Sequence, residues 1–349
     1  NFTTCDLLQP HYRVTAAEII LYPKHGWLVA YWGFFWLSNV PVVPMPTYIY
    51  DLTAEDKDQR NIPPFPEISS NDLDGWYITE RLAWHLRREL SGSYTLSYYQ
   101  KKGFGGGAEA NYIWDDNNRG NVRLYGNGGD GYWGGLTHHY FFGGEIGPAS
   151  SPKFFNLPKS RRYELIFNFS QRERLNYQRV SYHPQLTFKS KAANYNLELM
   201  AGRVAEENNV SLNEGSVKLK LYRDLPETPV GVFSPNLGTD QSYYSNGTSW
   251  LKNYAGLDLK KALTDNLKFG LGYQHFFALT GTSPFLFELY RYRPADRLKG
   301  ELYFVYGQTG VGVDASYFLD NWSPEDIDYS LFFRLHCYNL LVKYRSMRG

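Results

Sequence analysis

The sequence predicts an all-β protein: an antiparallel transmembrane β-barrel of about sixteen strands, preceded by a small N-terminal β-domain. Apolar and polar residues alternate with a period of two over segments of about ten residues, which is typical of strands that cross a membrane. Aromatic residues make up 17% of the chain and glycines number 32, while charged residues make up only 20%. The uncharged stretch 26–50 is unsuited to a membrane helix because Pro41, Pro44 and Pro46 would break it.

Residues 1–50 are predicted to be the end of a small β-domain, with strands over 11–22, 26–37 and 42–50. The middle strand is apolar on both faces, so it must be covered twice or line an apolar space. Two interpretations remain open, a strand in the core of a sandwich and the wall of a groove for acyl chains. In the second, the groove residues are Trp27, Val29, Tyr31, Trp32, Phe34, Phe35 and Trp36.

Residues 51–70 are charged and then proline-rich, and they are predicted to be a linker or the start of the barrel. Residues 71–349 are predicted to form the barrel itself. In 90–99, for example, Leu90, Gly92, Tyr94, Leu96 and Tyr98 share one face, and serines and Thr95 share the other. A soluble sandwich would need a far more charged exterior. An even, closed barrel is expected because closure removes unpaired edges, and its lumen should be aqueous or plugged.

Two long connections are expected, over 143–161 and 223–250, and long loops of such barrels usually lie on the extracellular side. Near the C-terminus the apolar phase shifts just after Cys337, which predicts a turn or bulge there, at a rim of the barrel. The two cysteines, Cys5 and Cys337, stand at opposite ends of the chain. A bond between them, which requires an oxidising compartment, and two unrelated free thiols both remain open.

The sequence contains none of the residue patterns that are typical of catalytic sites. The eight histidines show no metal-binding spacing, and His138 and His139 on one strand must point to opposite faces. No serine lies in a nucleophile elbow. We therefore expect no enzyme activity, no metal and no cofactor. The net charge of +1 argues against nucleic acid as a partner.

Two sets of segments, one at each end of the chain, carry a resemblance to a known family. The first set is Phe2-Thr3-Thr4-Cys5, Tyr12-Arg13-Val14, Ala17-Glu18-Ile19-Ile20, Val40-Pro41-Val42, Met45-Pro46, Asp56-Lys57, Pro64, Pro66 and Asp74-Gly75, and the second is His336-Cys337-Tyr338 and Tyr344-Arg345. The first set resembles the closing jelly-roll strands and first barrel strands of the LPS-assembly outer-membrane protein family, LptD, also called organic solvent tolerance protein. The second set looks like the late cysteine segment of that family. Between the two ends, only the barrel pattern agrees with this family.

The resemblance implies roles for several residues. Residues 1–50 would be the C-terminal part of a periplasmic jelly roll, and a Cys5–Cys337 disulfide would join it to the barrel. Pro63, Pro64 and Pro66 would lie near a lateral gate between the first and last strands, where proline donates no ladder hydrogen bond. For any one of these prolines, a plain linker proline is an equal interpretation.

The resemblance also implies partners and a place: lipopolysaccharide or a related lipid, the outer-membrane bilayer of a bacterial cell, and a periplasmic jelly-roll bridge protein. The family's larger barrel encloses a plug lipoprotein, for which about sixteen strands leave less room. The predicted function is a translocon that inserts lipopolysaccharide, or a related amphiphile, into the outer leaflet through a lateral barrel opening. The alternatives are a passive outer-membrane porin and an outer-membrane enzyme acting on lipids.

Overall fold

A computed structural model of the chain describes residues 12–23, 27–37, 39–51, 67–87, 89–145, 161–175, 177–192, 194–208, 210–290, 292–293, 295–334 and 339–346. Apart from one short helix, the regular elements in these residues are β-strands, and they form two sheets. The all-β prediction is confirmed. No helix in the described segments is long and apolar enough to cross a membrane.

The N-terminal sheet has three antiparallel strands in the order of the chain, β1 (Tyr12–Tyr22), β2 (Trp27–Leu37) and β3 (Val40–Asp51). Val14 pairs with Phe35 across β1 and β2, and both side chains are fully buried on one face. On the other face, Trp36 Nε1 donates a hydrogen bond to Thr15 Oγ1 at 2.8 Å. The strands begin and end within two residues of the predicted positions.

The second sheet is the barrel, and its described residues form seventeen strands, close to the predicted number. They are β4 (Glu67–Asn71), β5 (Gly75–Arg87), β6 (Leu90–Tyr99), β7 (Gly103–Ile113), β8 (Asn118–Asn127), β9 (Gly131–Glu145), β10 (Arg161–Leu175), β11 (Gln178–Lys191), β12 (Tyr195–Glu206), β13 (Ser211–Tyr222), β14 (Val232–Tyr244), β15 (Ser249–Thr264), β16 (Leu267–Gly281), β17 (Arg297–Tyr306), β18 (Thr309–Phe318), β19 (Ser323–Arg334) and β20 (Asn339–Arg345). The helix α1 (Leu286–Leu289) lies between β16 and β17. The first strand, β4, begins at Glu67, within the stretch 51–70 that the sequence predicts as a linker.

The ring of strands has one seam. From β4 to β20 each strand pairs antiparallel with the next, and β20 comes round to β4. Among the described residues, however, no ladder joins β20 to β4. The sixteen antiparallel steps between them make these two strands run in the same direction. Within the described residues the strands are therefore odd in number and one junction has no ladder, which differs from the expected even, fully closed barrel.

The seam between β4 and β20 is wide because each strand covers only half of the barrel wall. Strand β4 lies in the far-rim half, and β20 lies in the near-rim half. Strand β4 pairs only with the first residues of β5, ending at Thr79, and β20 pairs with the last residues of β19, from Asp328. Within the described part of the chain, residues 80–87 of β5 have no partner strand on the seam side. The N-terminal sheet comes close by, since β3 lies beside β5.

The barrel strands expose apolar side chains outwards and turn polar ones inwards. Large apolar residues that are 40–60% exposed form a belt around the outer face: Leu96, Leu124, Leu186, Leu237, Leu257, Leu271, Leu302 and Val342. On β6, Thr95 and Ser97 point inwards and are buried. This confirms the alternation on which the prediction depends. Exposed apolar side chains on strand after strand are typical of a surface that faces lipid.

Turns alternate between two rims. The far rim carries the turns 72–74, 100–102 and 128–130, and the near rim carries 114–117. Strand β9 ends and β10 begins at the near rim, where the segment 223–231 between β13 and β14 also lies, whereas β16 ends and β17 begins at the far rim. The predicted connection 223–250 is too long, because it contains β14.

This topology restricts which rim of the barrel can face the periplasm. Strand β4 runs away from the near rim, so a periplasmic N-terminal domain on the near-rim side would put both predicted long connections in the periplasm as well. The predicted extracellular position of those connections therefore does not fit such an N-terminal domain. Strand β19 also ends at the near rim and β20 begins there. The predicted turn beside Cys337 itself lies outside the described residues.

Candidate functional site: a polar lumen that opens at the seam

A cavity of about 1050 Å³ lies between the two seam strands. It is lined on one side by Glu67, Ile68 and Ser69 of β4 and on the other by Lys343 and Tyr344 of β20. By the register of β4 on β5, Glu67 and Ser69 face the lumen, while Ile68 faces outwards and is exposed. The cavity therefore has both a polar and an apolar border.

The seam cavity continues into the lumen. A second cavity, of about 450 Å³, shares Glu67, Asn71 and Tyr77 with the seam cavity as lining residues. A third, of about 790 Å³, shares Asn71 and Arg174 with the second. These shared residues make one polar path from the inside of the barrel to the gap between β4 and β20.

A network of ion pairs holds the far-rim end of this path. Asp74, which follows β4, binds Lys102 Nζ at 2.8 Å through Oδ1 and Arg174 Nη1 at 2.7 Å through Oδ2. Lys102 also contacts Asp130 at 2.8 Å, and Arg179 contacts Asp130 at 2.7 Å. Three far-rim turns and β10–β11 are thus linked by side chains inside the barrel.

The electrostatics of this network favour ionised carboxylates. Burial alone would raise the pKa of Asp74, but hydrogen bonds from Lys102, Asn71 and Arg174 outweigh burial and hold that pKa below its ordinary value. Burial would also raise the pKa of Asp130. Hydrogen bonds from Lys102, Asn127 and Arg179 outweigh burial and lower that pKa to about 2. Both carboxylates are therefore charged at neutral pH.

The described residues of the segment 282–296 fold inwards at the far rim and fill part of the lumen. Phe285 and Phe287 are buried there, in a cluster with Val180, Tyr244 and Trp250. The carboxylate of Glu206 on β12 fixes the segment. It accepts hydrogen bonds from the backbone N–H of Leu286 at 3.0 Å and of Phe287 at 2.8 Å. The sequence analysis missed this segment, whose signal is the apolar run Phe285-Leu286-Phe287 beside Pro284.

Alternating charges cross the lumen wall on five neighbouring strands. The residues pair in register from β11 to β15: Lys189, Glu198, Lys218, Asp240 and Lys252. Glu198 lies 3.5 Å from Lys189 and 3.3 Å from Lys218, and Asp240 lies 2.8 Å from Lys252. The lumen surface is thus charged and suited to water and hydrophilic groups.

The residues predicted to line an acyl groove occupy both faces of β2. Val29 and Phe35 are buried on the face that Tyr31 shares, whereas Trp32 and Phe34 are exposed on the face that Trp36 shares. For Trp27 the structure describes only the backbone, as the first residue of β2. The seven residues therefore divide between two surfaces rather than line one wall, and their role stays a prediction.

The other predicted site residues lie outside the described residues: Cys5, Cys337, Pro63, Pro64 and Pro66. The disulfide and the proline gate remain predictions. What the structure adds is that β4, which begins directly after Pro66, borders the seam.

No group of three or more metal-ligating side chains occurs in the part of the chain that the structure describes. His138 and His139 contact different partners on opposite faces of β9, as expected. His138 Nδ1 lies 2.9 Å from the Tyr112 hydroxyl, and His139 Nδ1 lies 2.7 Å from Glu164 Oε1.

Comparison with known proteins gives a partial match. The LPS-assembly protein LptD of Xanthomonas oryzae pv. oryzae is 28% identical over 115 residues, which are 33% of this chain and 14% of that protein. LptD of Xanthomonas euvesicatoria pv. vesicatoria is 27% identical over the same length. The match thus spans only 14% of the length of these relatives. The resemblance is supported for one third of the chain, and no family model matches.

One solved structure, a bacterial polysaccharide outer membrane secretin, matches with a TM-score of 0.38 and 8% sequence identity. That match covers 80% of this chain and 92% of the other. This likeness is too remote to bear on function.

Proposed function

We propose that this protein is an outer-membrane translocon that inserts lipopolysaccharide, or a related amphiphile, into the outer leaflet through the seam between β4 and β20. The observation that carries the proposal is the unpaired seam, whose cavity is continuous with the polar lumen. The partial match to LptD, an LPS-assembly protein, supports the same assignment.

The seam suits an amphiphile because it joins two environments. The hydrophilic headgroup would occupy the polar lumen, while the acyl chains would leave through the gap towards the apolar belt. Unpaired backbone groups are costly in a bilayer, so a seam of this kind is unusual in a barrel that serves only as a channel. Opening it further requires only that the hydrogen bonds between the five residues of β4 and strand β5 break.

The resemblance supplies the rest of the proposed assembly. The N-terminal sheet would lie in the periplasm and receive lipid from a jelly-roll bridge protein, with acyl chains along one apolar face of β2. The Cys5–Cys337 disulfide would hold that sheet at the barrel. A plug lipoprotein would find part of the lumen already filled by 282–296, which argues for a smaller plug or none.

A passive porin is the second candidate. The alternating charges across β11–β15 favour it, because they make the lumen suitable for ions and small polar solutes. A porin needs neither the seam nor the N-terminal sheet. We expect no enzyme activity, which also remains a proposal.

Photo-crosslinking from inside the barrel separates these functions. A benzoyl-phenylalanine at Ser69, which faces the lumen at the seam, should form a covalent adduct with lipopolysaccharide in transit when cells are irradiated. Two controls carry the same group, one at Met200, which faces the lumen on the opposite wall, and one at Leu237 on the outer belt. Resident outer-leaflet lipid reaches only the outer belt, so an adduct at Ser69 supports translocation. Absence of any adduct at Ser69, together with solute flux through planar bilayers, would favour the porin.

A further inference from the structure

The lumen wall formed by β13–β17 contains a hollow whose floor includes Gly272. The register places three rows across neighbouring strands, and in each row a glycine lies between two polar or charged residues. The rows are Lys220–Gly238–Tyr254, Asn236–Gly256–Gln274 and Asp258–Gly272–Lys299. The cavity that these six polar residues line measures about 230 Å³.

The hollow exists because the glycines carry no side chain. A Cβ at Gly238 would lie 2.2 Å from Cζ of Tyr254, and a Cβ at Gly272 would lie 2.6 Å from Oδ1 of Asp258. Neighbouring side chains therefore lie flat over the glycine positions. Water occupies about 30 Å³ per molecule, so the hollow has room for about eight waters or one sugar ring.

The charges of the hollow are unbalanced. Asp258 already accepts a hydrogen bond from Asn236 Nδ2 at 3.1 Å. Lys220 and Lys299 form no ion pair or hydrogen bond with any described residue, whereas the neighbouring Lys218 is paired with Glu198. Each unpaired ammonium offers three donors to a ligand.

We propose that this hollow binds an anionic saccharide unit, a sugar ring that carries a phosphate or a carboxylate. Lys220 and Lys299 would bind the anionic group, since charge-assisted hydrogen bonds are the strongest available to it. Asn236, Gln274 and Asp258 would bind ring hydroxyls, and the Tyr254 ring would pack on the apolar face of the sugar. The inference rests on the proposed function, because it assigns the headgroup of the transported amphiphile a site on the lumen wall.

Isothermal titration calorimetry on the full chain in detergent micelles tests this with four probes: glucose 6-phosphate, glucuronate, glucose and inorganic phosphate. We expect one of the two anionic sugars to bind at least tenfold more tightly than either glucose or phosphate. Comparing glucose 6-phosphate with glucuronate tells which anion the site prefers. Lys220→Gln and Lys299→Gln should each weaken binding at least tenfold. Lys260→Gln, a lumen lysine outside the hollow, should leave it unchanged.

A second pair of variants tests the glycine floor. Gly272→Ala should weaken binding at least tenfold, while Gly300→Ala, whose added methyl meets open space on the outer face, should have no effect. Binding of phosphate as tight as that of the sugars, or equal loss in Lys260→Gln, would overturn the inference. Absence of binding by all four probes would also overturn the inference. It would not affect the result of crosslinking at Ser69, so the saccharide site and the proposed translocation function can fail separately.

Discussion

Arg174, at the end of β10, contacts Asp74 across the lumen, with 2.7 Å between Nη1 and Oδ2. Asp74 ends the turn between β4 and β5, so this contact ties the short seam strand to the opposite side of the second lumen cavity. Asp74 is only 3% exposed, and Lys102 approaches its other oxygen. The far-rim end of β4 is thus fixed, and the proposed opening must occur along the rest of the strand.

The first prediction concerns Asp74→Asn. This change leaves Lys102 and Arg174 without their shared anion, so the free energy of unfolding should fall by about 2–3 kcal/mol. Urea unfolding in detergent micelles measures it. Asp72→Asn in the same turn removes an exposed carboxylate and is the matched control. An equal loss in both variants would show that the network contributes nothing specific.

The second prediction is a loss of stability in acid. The carboxyl groups of Asp74 and Asp130 have pKa values below their ordinary ones, and the pKa of Asp130 is about 2. Groups with a lowered pKa stabilise the fold above the unfolded pKa of about 3.9, and that stability disappears as pH falls towards about 2. The melting temperature of the wild type should therefore drop over this window. In Asp130→Asn the drop should be smaller, and an identical drop would contradict the assignment.

The third prediction concerns the inward-folded segment 282–296. Glu206→Ala removes the acceptor of two backbone N–H groups, each costing about 1–3 kcal/mol when left buried and unpaired. The segment should then leave the lumen part of the time, and single-channel conductance in planar bilayers should rise. Glu207→Ala, the exposed neighbour that pairs with Arg172, is the control. Unchanged conductance in Glu206→Ala would show that the segment does not restrict the lumen.

The fourth prediction concerns backbone hydrogen exchange at the seam. Amides of β4 and β20 that point towards each other have no ladder partner, so they should exchange orders of magnitude faster than those of β13. Strand β13 is paired on both sides and serves as the internal reference. Mass spectrometry of the exchanged protein resolves these strands. Equal protection of β4, β20 and β13 would mean that the seam is closed in solution.

Much of the fold could be predicted from periodicity, because side chains on a strand alternate between lipid and lumen. Leu96 and Thr95 on β6 follow this rule, with Leu96 exposed and Thr95 buried. The rule fails where glycine or proline dominates. The glycine-rich run from Gly103 to Gly107 shows little alternation, yet it forms the start of β7. Pro235 lies inside β14 although the prolines around it suggest a loop.

The resemblance alone predicts a gate between the first and last strands. Residue patterns could predict neither this seam nor the hollow, because both depend on which strands are neighbours. The alternation of residues in β4 does not reveal that its unpaired edge faces β20 rather than a hydrogen-bonded strand. Likewise Lys220 and Lys299 are 79 positions apart in the sequence, and only the register through Gly238 and Gly272 places them around one cavity. The apolar residues of 282–296 gave a local signal, but nothing in it showed that they would fold into the lumen.

The most direct test of the central claim is to seal the seam with a crosslink and then measure the transfer of lipopolysaccharide. Ser69→Cys and Lys343→Cys place a thiol on each side of the seam cavity, and a short bifunctional maleimide would join them. Variants carrying only one of the two substitutions, treated alike, are the controls. We predict that the joined protein loses transfer of lipopolysaccharide to the outer leaflet while ion conductance through the lumen persists. Undiminished transfer through a sealed seam would contradict the account.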